Sequence, residues 1–153
     1  MARRVKEDHQ VAVKKNYCFG CGADNPDSMK LKFIYDKKSA RVICRLRLAP
    51  RFAGPPGYAH GGIIATVLDE AMAKLNKLHG VTAVTGHMAV DYLRPVPLGR
   101  SLTVEARETE VKGRRRFREG LITNKSREVL ARGKGVFITI DPQKVFAKLR
   151  NET

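Results

Sequence analysis

Residues 61–79 read GGIIATVLDEAMAKLNKLH, and the spacing of their apolar side chains decides the fold class. Ile63, Ile64, Val67, Leu68, Ala71, Met72, Leu75 and Leu78 recur with a 3.6-residue period. At about 100° per residue they fill one half of a helical wheel. Lys77 and His79 carry positive charge toward the C-terminal end, where the helix dipole favours it, and Gly80 stands where a left-handed residue closes a helix. The spacing predicts one long helix over 61–79 with half its surface to bury.

Outward from this helix the period changes from 3.6 to 2. Upstream, Leu31 to Tyr35 and Ala40 to Leu48 alternate as strands around a Lys37-Lys38-Ser39 turn. Downstream, strands are expected over Thr82 to Leu93, Ser101 to Val111, Arg116 to Thr123 and Val129 to Ile140. Turn signals separate them at Pro95 to Gly99, Lys112-Gly113 and Asn124 to Ser126. Long strands joined by short turns pair antiparallel, so the fold class is α+β: one curved antiparallel sheet and one long helix. Cys18 to Met29 and Arg51 to Tyr58, dense in Gly, Pro, Asn and Asp, read as irregular loops. The expected organisation is a basic N-terminal arm over 1–17, one domain over 18–141, and a C-terminal tail or short helix over 142–153.

A length of 153 residues argues against a multidomain machine, and 42% hydrophobic residues suffice for a real core. Thirty Lys and Arg against 15 Asp and Glu give a net charge of +15, which suits nucleic acid, anionic lipid or phosphorylated substrates without choosing among them. No run approaches the roughly 18 apolar residues of a membrane span, and MARRVKEDHQ lacks the apolar core of a signal peptide. The expectation is a cytoplasmic protein without a membrane partner. Cys18, Cys21 and Cys44 are an odd set and read as reduced thiols.

The chemistry is expected where the helix begins. Gly61 and Gly62 leave backbone N–H groups open at the positive end of the dipole, a place for an oxyanion or a polarised carbonyl, and His60 precedes them. Simple turn chemistry explains a Gly-Gly start as well. Asp69 lies about 60° outside the apolar half of the wheel, on a strip with Ala65, Ala73 and Asn76. Small residues admit close approach, so that carboxylate belongs to a crevice or a subunit interface. Glu70 sits on the other edge with Lys74 one turn later and reads as a surface pair.

These residues resemble the hotdog-fold acyl-CoA thioesterases, in the branch related to phenylacetate-pathway and human thioesterase-superfamily proteins. The match is His60-Gly61-Gly62, an acid nine residues after the histidine at Asp69, and Tyr92-Leu-Arg94-Pro95-Val-Pro97-Leu98-Gly99 closing a strand. The resemblance runs from about Cys18 to Ile140 and implies a sheet wrapped around the helix. It also implies a homodimer, with pairing again into a tetramer, whose active sites lie across the interface. It makes Asp69 the general base or nucleophile, puts the Gly61 N–H on the thioester carbonyl, and places Gly62 against the substrate. Thr85 falls where relatives keep a Ser or Thr that holds the water or the acid. Some relatives carry Asn or Gln six residues before the histidine, where this chain has Gly54; His60 is left between orienting the thioester and holding the loop.

Other features point less sharply. Cys18-Phe-Gly-Cys21 has the spacing of half a zinc site that Cys44 or His60 could complete, but no second close pair exists, so neither metal nor cofactor is expected. Phe33, Tyr35, Met88 and Phe117 read as core, and His87 shares the alternation of Thr85. Lys112 to Arg118 holds five basic residues in seven. It is a solvated hairpin, or, through Arg114, Arg115 and Arg116, the capture site for CoA phosphates. The function expected is hydrolysis of an acyl-CoA thioester at a dimer-interface site. The alternatives are a non-catalytic acyl-CoA-binding module and a basic nucleic-acid-binding protein, the latter without a recognised motif.

Overall fold

The computed structural model describes residues 15–151, and up to residue 14 the expected basic arm lies outside them. The chain divides into two compact units, 1–30 and 31–153. In the described part of the first, the Cys-rich loop is tied by backbone bonds from Gly22 N–H to Cys18 C=O (2.8 Å) and from Met29 N–H to Phe19 C=O (2.8 Å). None of the three cysteines is in a disulfide.

The second unit is built from strands β1 (Ile34–Asp36) and β2 (Arg41–Leu46), helix α1 (Gly61–His79), strands β3 (Ala83–Tyr92), β4 (Leu102–Lys112), β5 (Arg115–Asn124) and β6 (Val129–Thr139), and helix α2 (Pro142–Asn151). A single 3₁₀ turn, Pro50–Phe52, interrupts the loop before α1. All strand pairs are antiparallel, in the order β1-β2-β4-β5-β6-β3. The α+β expectation holds, and α1 packs against β2, β3, β4, β5 and β6. Its apolar stripe is the centre of the core: Val67, Leu68, Ala71, Met72 and Leu75 are wholly buried. Gly80 closes the helix with φ 64°, as the sequence predicts.

The sheet face under α1 carries Val42 and Cys44, Val104 and Ala106, Ile122, and Ala131 and Phe137, all buried. Burial pushes the Cys44 thiol above its ordinary pKa. The helix lies close because Gly120 and Gly133 face each other across β5 and β6. A Cβ at Gly120 would come 3.2 Å from Leu68, and one at Gly133 would come 3.2 Å from Met72.

The outline of the basic hairpin needs correction. Arg116 and Arg118 share the parity of Gly120 and Ile122 and therefore turn inward, beneath α1. Both meet Glu108, Arg116 at 2.6 Å and Arg118 at 3.1 Å. Arg118 also donates to the Met72 carbonyl (2.9 Å) and lies 4.6 Å over the Phe137 ring. Burial lowers its pKa, and the Glu108 carboxylate opposes that shift. Lys112, Arg114 and Arg115 are the exposed cations of this hairpin.

Candidate active site

Helix α1 begins at His60, whose side chain caps it. His60 Nδ1 accepts the Gly62 N–H at 2.9 Å, which fixes the proton of the neutral ring on Nε2. The expectation of two open N–H groups is therefore corrected: Gly62 is occupied, and His60 holds the turn. Gly61 N–H has no acceptor among the described residues. The preceding loop folds tightly on this cap, with His60 N–H donating to Phe52 C=O (2.9 Å) and Ala59 N–H to Val96 C=O (2.8 Å). Gly54 is required by that closeness, since a Cβ there would lie 2.9 Å from His60 Cα. This accounts for glycine where the resemblance allowed Asn or Gln.

Asp69 is half-buried on α1, and Thr85 Oγ1 donates to its Oδ1 at 2.6 Å. This short charge-assisted bond holds one carboxylate oxygen and leaves the other available. Thr85 reaches the acid because β3 bulges. The register shifts between Thr85 and His87, so these residues oppose Phe137 and Val136 respectively. Opposed residues share a face, which puts Thr85 beneath α1 with Phe137 and His87 on the other side. The alternation that His87 shares with Thr85 in the sequence is thus broken by the bulge at Gly86.

The small-residue strip of α1 also finds its neighbour within the chain. Gly61, Asp69 and Asn76 meet Tyr92, Thr85 and Ala83 in turn: Tyr92 Oη donates to Gly61 C=O (3.0 Å), and Asn76 Nδ2 donates to Ala83 C=O (2.8 Å). The strip lies over β3, an edge strand of ten residues with its outer side unpaired. Tyr92 was in the sequence motif without a role. Its position at the end of β3, on the Thr85 face after the bulge, was the missing signal.

The site offers one free N–H at the dipole's positive end and one oriented carboxylate, eight residues apart on the same helix. At 1.5 Å of rise per residue they stand about 12 Å apart along the axis. The hairpin cations lie at the opposite end of the sheet. Lys112 and Arg115 pair at the β4–β5 turn, by the C-terminal end of α1, where His79 Nε2 is 3.8 Å from Glu108. Arg116, paired with Glu108 and 16% exposed at its side chain, is committed to that cluster.

A family model described as the thioesterase superfamily matches residues 56–131, from the capping loop into β6. Among curated proteins, the acyl-coenzyme A thioesterase THEM4 of Xenopus laevis is 32% identical over 84 residues, covering 55% of this chain and 38% of that protein. The chain spans about half the length, or less, of the curated thioesterases THEM4 that it matches. Among solved structures, the thioesterase superfamily protein RHA08564 superposes with a TM-score of 0.72 at 27% identity, over 75% of this chain and 56% of that one. The BH2602 protein of Bacillus halodurans, solved with CoA, superposes with a TM-score of 0.67 at 26% identity, over 78% and 80%. The architecture is the hotdog fold of these structures.

Proposed function

Because this chain belongs to the thioesterase superfamily, we propose that it hydrolyses acyl-CoA thioesters, with Asp69 as the general base and the Gly61 N–H as the oxyanion donor. The observation that carries this reading is the 2.6 Å bond from Thr85 to Asp69, which aims a carboxylate in the middle of a helix that otherwise buries apolar side chains. The thioester carbonyl oxygen docks on the Gly61 N–H, where the helix dipole stabilises the charge that develops on it. Asp69 takes a proton from water as the water oxygen attacks the carbonyl carbon. The tetrahedral intermediate collapses with cleavage of the C–S bond, and the CoA thiolate leaves.

A separation of about 12 Å along one helix keeps Gly61 and Asp69 of the same chain from acting on one carbonyl. The reading therefore includes a homodimer in which each site joins Gly61 of one copy to Asp69 of the other. The unpaired edge of β3 supports this, because antiparallel pairing of two such edges runs the two helices in opposite directions. Exposed Val84, Tyr92 and Leu93 on and beside that edge supply apolar surface for the contact.

Asp69→Asn should lower kcat on acyl-CoA by at least about 10², the usual weight of a general base. Mixed with Gly61→Val, the inactive Asn variant should regain about a quarter of wild-type activity. Half of randomly paired dimers are mixed, and each mixed dimer holds one intact site. Wild-type turnover by Asp69→Asn would end the catalytic assignment. Loss of activity without recovery on mixing would confine the site to one chain.

A further inference from the structure

The helix start that presents the Gly61 N–H is loose by composition. Two consecutive glycines have no Cβ to restrict φ and ψ, and the first N–H groups of a helix lie ahead of its hydrogen-bond ladder. The structure nevertheless holds this turn at three points. His60 C=O accepts from Ile63 N–H (3.0 Å) and Ile64 N–H (3.1 Å), which fixes the peptide whose other end is the free Gly61 N–H. The next peptide is held at both of its polar atoms: His60 Nδ1 takes the Gly62 N–H at 2.9 Å, and Tyr92 Oη donates to the Gly61 carbonyl at 3.0 Å. Of these partners, only Tyr92 comes from outside the cap and the helix.

The end of β3 places Tyr92 for this bond. It stands opposite buried Ala131 of β6 and so shares the inner face with it. Immediately after it, the N–H groups of Leu93 and Arg94 both donate to Leu130 C=O at 2.9 Å, which fixes the backbone that carries the ring. A Cβ on Gly61 would lie 3.6 Å from Tyr92 Cε1 and Oη and 3.7 Å from Cζ. The ring therefore stands beside Gly61 on the side where any other residue would carry its side chain. Tyr92 is 55% exposed, so removing its hydroxyl leaves the core untouched.

We propose that Tyr92 is a positioning residue of the thioester site: through the Gly61 carbonyl, its hydroxyl locks the first turn of α1 to β3 and so aims the oxyanion donor. This rests on the reading of Gly61 as that donor. One strand then serves both halves of the chemistry, since β3 also carries Thr85, which holds Asp69 at 2.6 Å. In the two-copy site the path from donor to base runs from Gly61 and Tyr92 of one copy, across the two β3 edges, to Thr85 and Asp69 of the other. Misplacing a reacting group by about 1 Å can cost about 10² in rate, so a frayed first turn is incompatible with turnover.

Tyr92→Phe removes the hydroxyl and keeps the ring. It should lower kcat on acyl-CoA about fivefold, the weight of one neutral hydrogen bond, with KM within about twofold of wild type and the melting temperature unchanged. Its placement in a mixed dimer separates aiming from general support of the interface. When Asp69→Asn is mixed with Gly61→Val, the intact site uses Gly61 of the Asn chain. Tyr92→Phe added to the Asn chain should lower the recovered activity about fivefold. Added to the Val chain it should not, because the Gly61 that it faces there is already lost. Equal effects from both placements, no effect from either, or an effect from the Val chain alone would overturn the proposal. A readout without turnover is the infrared carbonyl stretch of a bound ketone analogue of acyl-CoA, with CH₂ in place of the thioester sulfur and carbon-13 at the carbonyl. Wild type should lower that frequency relative to the free analogue, and Tyr92→Phe should return it part of the way. A lowered frequency that is the same in both proteins would overturn the role of Tyr92 alone. An unshifted frequency in wild type would remove Gly61 as the donor, and this proposal with it.

Discussion

The bond from Thr85 to Asp69 gives the proposed mechanism its sharpest quantitative test. Thr85→Val keeps the branched shape and β propensity of the side chain and removes one hydroxyl. A hydrogen bond to a charged group is worth about 1.5–3 kcal/mol, and exposure of Thr85 puts this one near the lower limit. About 1.4 kcal/mol is a factor of ten in rate, so kcat should fall about tenfold. Thr85→Ser should restore most of that loss. Asp69→Asn should cost at least about 10² by itself. If Thr85 acts only by aiming the carboxylate, the double variant should be no worse than about threefold below Asp69→Asn, because nothing remains to aim. Single-turnover and steady-state rates on one acyl-CoA, with urea unfolding as a control, measure all four corners of the cycle. Losses that multiply to about 10³ would mean that Thr85 acts independently of Asp69, and an unaffected Thr85→Val would remove the bond from the working site.

Three further outcomes are expected. Gly61→Ala should fold normally, since a Cβ there meets nothing nearer than 3.6 Å, yet lose at least about tenfold in kcat/KM by crowding the oxyanion; Gly54→Ala, with 2.9 Å to His60 Cα, should instead lower the melting temperature. His60→Ala should cost about 1 kcal/mol in urea unfolding through the lost cap on Gly62. Glu108→Gln should destabilise by about 3–5 kcal/mol, or roughly 6–20 °C, because Arg118 is left buried without its carboxylate, whereas Arg118→Met should cost less; the reverse order in thermal melts would show that Glu108 is not the stabilising partner.

Most of the fold was legible because it rests on two periods. The helix bounds follow from the 3.6-residue stripe and Gly80, and β4 to β6 follow from alternation between Gly and Asn turns. Alternation also held the correction to the basic hairpin: Arg116 and Arg118 share the parity of Gly120 and Ile122, so counting charges without counting faces put them in solvent. The bulge at Gly86 was not legible, because an extra residue inverts every later side chain and leaves no mark in composition. The pairing of Gly120 with Gly133 was equally hidden, since it depends on the cross-strand register. The Asp69 assignment came from the wheel and the resemblance, but its partner Thr85 was found only through the family motif.

The net charge of +15 also looks different once the cations of the described residues have a place. On the outer face, Arg107 stands opposite Glu119 at 3.4 Å, while Arg41 reaches Glu105 and Arg132 reaches Glu119 diagonally, at 3.1 and 3.5 Å. Beneath the helix, Glu108 takes Arg116 and Arg118. These carboxylates stand along the middle and toward the α1 C-terminal end of the sheet. The row of Arg45, Thr103 and Thr123, nearer the other end, contains no acid. Exposed cations without a carboxylate partner among the described residues therefore stand at both ends: Arg47, Arg100 and Lys125 where the strands turn next to the α1 N-terminus, and Arg114 and Arg115 at the β4–β5 turn. Surface fields fade within about 8–10 Å at ordinary ionic strength. The two ends of the sheet, about one helix length apart, therefore present separate positive fields, which the total charge alone cannot specify.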